Sequence, residues 1–72
     1  MKKDVAAKIN TFMLAYGAEL DHSVKLVTDT ASAEEFEAYR AAIAKIMGTM
    51  LVDIMNPIYK EHPDLKPPEL ED

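Results

Sequence analysis

Apolar side chains recur every three or four positions along the first third of the chain, at Val5, Ile9, Phe12, Met13, Tyr16, Leu20, Val24 and Val27. Lys8, Thr11, Asp21, His22, Lys25 and Asp29 fall between them. That period is the stripe of an amphipathic helix and predicts one over about residues 4–28. Gly17 interrupts it. A glycine inside a helix costs about 1 kcal/mol relative to alanine, so the expected reason for it is a neighbouring backbone packed close by.

The segment Thr28 to Glu35 punctuates the chain. Ser32, followed three positions later by Glu35, has the form of a capping box. The serine hydroxyl can accept from the Glu35 amide, and the Glu35 carboxylate can return to the Ser32 amide. Glu34, Glu35 and Glu37 set negative charge against the positive end of the helix dipole. A second helix over about 33–55 follows, and the short connection predicts an antiparallel hairpin.

Helix 2 carries more apolar surface than one partner helix can cover. Between Ala41 and Met55 only Lys45, Thr49 and Asp53 are clearly polar, and their spacing of four places them on one narrow stripe. Phe36, Tyr39, Ile43, Ile46, Met50 and Ile54 form one apolar row, and Met47, Leu51, Met55 and Ile58 a second. One row suffices for helix 1, which leaves the other for a second copy of the chain. Ala41, Ala44, Gly48 and Val52 add a ridge of small or slim side chains. The dimer interface is therefore expected among Ile43, Ile46, Met47, Met50, Leu51, Ile54, Met55 and Ile58.

At Asn56-Pro57 the proline removes a backbone donor and biases its neighbour away from helical angles, which predicts a bend and one short final turn with Asn56 as a new cap. From Pro63 the sequence PDLKPPELED is rich in proline and acid and reads as an extended tail. The expected architecture is all-α: a helical hairpin domain over 1–62 that pairs into a homodimeric four-helix bundle, with an acidic tail over 63–72.

Composition supports the dimer. A chain of 72 residues without cysteine buries only about 60% of its extended surface and has no disulfide or thiolate metal site to add stability, which leaves oligomerisation. The net charge of −5 is uneven: +2 over residues 1–18, −4 over 19–40, +1 over 41–60 and −4 over 61–72. The acidic tail and the lysines Lys2, Lys3 and Lys8 are expected at the same end of the hairpin. With a single arginine, Arg40, the chain is not expected to bind nucleic acid.

A membrane span is not expected either, because the run 41–55 falls short of the roughly 20 residues required and contains Lys45 and Asp53. The opening MKKD followed by TFMLAYGA imitates a signal peptide only faintly, since Asp4, Lys8 and Asn10 break its apolar part. A cytoplasmic protein is the expectation.

Candidate chemistry is sparse. Glu19 and His22 have the Glu-x-x-His spacing of carboxylate-bridged metal bundles, but His22 falls outside the apolar stripe and the opposing stretch of helix 2 offers no inward carboxylate. Lys45 and Asp53 are expected in solvent, and Tyr16, Tyr39 and Tyr59 at the edge of the core with wetted hydroxyls. No nucleophile with a base and no phosphate-cradling loop is present, so no catalytic residue, cofactor or metal is assigned. The sequence points to a small non-enzymatic interaction or regulatory protein, with a further protein partner left open. A ligand-binding or catalytic bundle with its site between subunits is the alternative, and an acidic mimic of nucleic acid a third reading.

Overall fold

The computed structural model describes residues 1–70; Glu71 and Asp72, the last two positions of the expected tail, lie outside the described residues. The described chain is all-helical. Helix α1, Lys3–Thr30, lies antiparallel to α2, Ala33–Thr49, which runs through a π-helical stretch, Met50–Met55, into α3, Asn56–Glu61. Two 3₁₀ turns follow, Pro63–Leu65 and Pro68–Leu70. The longest extent of the hairpin, 44 Å, is about the length of a 28-residue helix at 1.5 Å per residue.

Only Ala31 and Ser32 separate the two long helices, fewer than the spacing of turn residues predicts. The Ser32 hydroxyl accepts from the Glu35 amide at 3.2 Å. The return half of the box differs: the Glu35 carboxylate accepts from the Ser32 hydroxyl at 3.2 Å, not from the Ser32 amide. Tyr39 closes this end by donating to Ser23 Oγ at 2.7 Å, and Ser23 in turn donates to the Leu20 carbonyl at 2.6 Å.

Along α1 the covered positions are Ala6, Ala7, Ile9, Asn10, Met13, Gly17, Leu20, Ser23, Val24 and Val27. Ile9, Met13, Leu20, Val24 and Val27 of the predicted stripe are among them, whereas Val5, Phe12 and Tyr16 are exposed. Phe12 and Tyr16 stack on each other outside, with ring centroids 6.3 Å apart. The difference has a physical reason. Ala6 is small enough to vanish completely beneath its neighbours, and Asn10, only 8% exposed, satisfies both ends of its amide. Its Oδ1 accepts from the Tyr59 hydroxyl at 2.5 Å, and its Nδ2 donates to the Leu65 carbonyl at 3.2 Å. A polar side chain is tolerated inside when all its hydrogen-bonding groups are met.

Helix 2 solves its proline differently from the predicted bend and fresh cap. Asn56 keeps helical angles (φ −59°, ψ −43°), and its amide donates to the Leu51 carbonyl five residues back. In α-helical winding the ring of Pro57 would collide with the carbonyl four residues earlier; the wider turns before it relieve that collision. They also explain the seam. Ile43, Met47, Leu51 and Met55 are spaced by four, and each such step drifts about 40° around an α-helix of 3.6 residues per turn. The extra residue per turn in a π-helix counteracts the drift, so Met55 and, in α3, Ile58 and Tyr59 still reach α1.

The core lies at the open end of the hairpin, away from the connection. Ala6, Met55, Ile58 and Tyr59 are its buried members, flanked by Ile9, Met13, Leu51 and Leu65. The tail is not simply extended: its prolines open short 3₁₀ turns, and Leu65 packs against the core. Burial pushes the Tyr59 hydroxyl above its ordinary pKa. Replacing it in Tyr59→Phe leaves the Asn10 oxygen without its donor and should cost about 1–3 kcal/mol. Thermal or urea unfolding of the two proteins measures this, and equal stability would show the bond to be dispensable.

Candidate functional site

The apolar rows of helix 2 part company in the structure. Ile43, Met55 and Ile58 are buried by the rest of the single chain, so these three of the eight expected interface positions are already consumed by the hairpin. Met47, Met50 and Leu51 are half-buried. Ile46 (48% exposed), Ile54 (38%) and, on the small-residue ridge, Val52 (61%) face outward. Ala41, Ala44 and Gly48 of that ridge are exposed as well. Within the α-helical part, Ile43 and Met47 face α1 and Ile46 faces outward; from Met50 on, the π-helical winding keeps Leu51 and Met55 on the α1 side and leaves Ile54 outside.

Where Gly17 faces helix 2, the two helices leave a half-open hollow of about 300 Å³. Its walls hold every methionine except Met1, namely Met13, Met47, Met50 and Met55, together with both glycines of the chain, Gly17 and Gly48. Leu14, Leu51 and Leu70 complete it. Among the described residues no charged side chain belongs to these walls, and Arg40, Lys45 and Tyr39 take no part in them. A hollow of this composition can shelter apolar groups, and unbranched methionines adapt to differing shapes, but it offers no acid, base or nucleophile.

The expected close backbone contact at Gly17 is absent. A methyl group there would meet only the mobile end of Met47, at 3.9 Å, and one at Gly48 would meet nothing within 4 Å. Neither glycine is required for the helices to touch; both widen the hollow instead. The signal that would have found it in the sequence is two unforced helix-interior glycines among methionines, obscured by the assumption that a helical glycine marks tight packing.

The remaining candidates are solvated. Glu19 and His22 are both exposed, and among the described residues no group of three or more histidines and carboxylates converges. Lys45, Thr49 and Asp53 are exposed as a stripe. Arg40 pairs with Glu37 on its own helix at 2.9 Å. Of the tyrosines, Tyr16 is outside, Tyr39 half-buried and Tyr59 buried.

Charge gathers at the open end. The Met1 ammonium lies 3.0 Å from Glu61 Oε1, and Lys3 pairs with Asp64. His62 Nε2 is 3.0 Å from the Met1 carbonyl. Hydrogen bonding to the Met1 ammonium holds the Glu61 carboxyl below its usual pKa, and the Lys3 ammonium does the same for Asp64. The Met1, Glu61, Lys3 and Asp64 groups are exposed, so each pair contributes little alone; with half-buried His62 they tie the tail to the start of α1.

By length and composition the continuous helix Ala33–Glu61, 29 residues, would be enough to cross a membrane, a test that core helices of soluble proteins also pass. In its most apolar stretch only 17% is buried within the chain. Compared with known proteins, the chain matches no family, and no curated protein or solved structure is similar to it.

Two outcomes follow from this geometry. Gly48→Ala should stabilise the protein by about 0.5–1 kcal/mol, because the methyl has room and the helix gains propensity; a loss of stability in denaturant titration would reveal an unseen contact. Glu61 and Asp64, whose partners Met1 and Lys3 hold their carboxyls below the ordinary range, contribute stability that is present above the ordinary carboxylate pKa values and lost as the pH falls through the lower, folded ones. Hydrogen exchange at the Leu65 and Lys66 amides, corrected for intrinsic rates, should accelerate in that acid range.

Proposed function

We propose that the protein is a non-enzymatic interaction module that works as a homodimer, with the outward face of helix 2 and the methionine-lined hollow covered by a second hairpin. The observation that carries this reading is the 17% burial of the most apolar stretch of helix 2 within its own chain. A helix apolar around most of its circumference is ordinarily buried on most sides, and a small chain gains most from sharing such a surface. Ile46, Val52 and Ile54 on helix 2, and Phe12 and Tyr16 on α1, add exposed large apolar side chains for a partner to cover. The walls of the hollow favour binding over chemistry, since the described residues that form them are all apolar or glycine.

Light scattering after gel filtration should give a mass of twice 8.0 kDa at micromolar concentration. Ile46→Asp combined with Ile54→Asp should weaken the dimer about 100-fold or more, given some 1.5–3 kcal/mol for each large side chain removed from burial, while the helical circular dichroism persists. A monomeric wild-type chain would refute the dimer. Sedimentation of that monomer with lipid vesicles would assign the exposed face to a membrane surface instead.

A further inference from the structure

The segment after His62 is firmly attached at one end and loosely at the other. At its root, the Leu65 carbonyl accepts from buried Asn10, the Leu65 side chain packs against the core, and Asp64 pairs with Lys3. At its far end, Leu70 reaches the wall of the methionine-lined hollow yet remains 36% exposed. Among the described residues, the hydrogen bond made by the Pro67–Leu70 turn runs within itself, from the Leu70 amide to the Pro67 carbonyl at 3.0 Å; none ties it to the helices. Pro67 and Pro68 stiffen the span between root and tip, because proline fixes the backbone angle φ.

We infer that the C-terminal segment is an intramolecular strap, hinged at Leu65, whose Leu70 covers the hollow between Gly17 and Gly48 and regulates access to it. The inference rests on the dimer reading for the identity of the excluded occupant, a second hairpin. A strap anchored by buried contacts at its root and by one half-exposed leucine at its tip opens without disturbing the core. Any occupant that needs the hollow then binds only the open fraction, so its apparent affinity is reduced by that fraction.

Two variants test this: a chain ending at Lys66, which keeps Leu65 and its bond to Asn10, and the full chain carrying Leu70→Asp. The probe is the apolar dye 1-anilinonaphthalene-8-sulfonate, titrated against each protein, with the dimer dissociation constant measured in parallel by analytical ultracentrifugation. Both variants should bind the dye about tenfold more tightly than the full chain, with unchanged helical content, and should dimerise more tightly. Unchanged or weaker dye binding in both variants overturns the strap. Tighter dye binding by proteins that are all monomeric upholds the strap and overturns the dimer, whereas unchanged dye binding by intact dimers overturns the strap alone.

Discussion

The amide of Asn10 is the point on which the fold depends. It is the one buried polar side chain among the described residues, and it joins three parts of the chain that share no sequence neighbourhood: α1 through its own backbone, α3 through the Tyr59 hydroxyl, and the tail through the Leu65 carbonyl. Apolar contacts at Ala6, Met55 and Ile58 supply burial, but burial is not directional. The Asn10 bonds set the angle and register at which α3 and the tail come home. The same requirement makes the junction unforgiving, since a half-satisfied buried amide is worse than an apolar one.

A second constraint comes from Pro57. The wider turns before it decide which of the apolar side chains of helix 2 face α1 and which face outward. The exposure of Ile54, the burial of Met55 and the part of the hollow's wall formed by Met50, Leu51 and Met55 follow from that winding. A backbone accommodation of one missing N–H group is thus linked to the surface that the protein offers to others.

Much of the fold is legible in the sequence because it rests on local signals. The three- and four-residue rhythm from Val5 to Val27, the Ser32 cap and the excess apolar surface of helix 2 each report on their own segment. What escapes is non-local. The face of α1 is displaced from its largest side chains because Ala6 and Asn10 lie inside, and nothing near Asn10 in the sequence announces partners 49 and 55 positions away. Proline at 57 signals an interruption, yet whether a helix breaks, bends or widens depends on what its next turn must reach. The candidate site was half visible for the same reason: the apolar rows could be enumerated, but their division and the hollow required the winding and the tail to be known.

The position of the core also bears on how the chain folds. In most helical hairpins the contacts nearest the connection form early, because they close the shortest loops. Here the buried cluster lies at the opposite end, between residues near the start of α1 and those of α3. The two helices and the Ser32 turn can assemble locally, but the contacts that supply most of the burial must wait until nearly the whole chain has been closed into a loop, with the entropy that closure costs. Folding should therefore be governed by a late meeting of the two chain ends, slower than the helical content suggests.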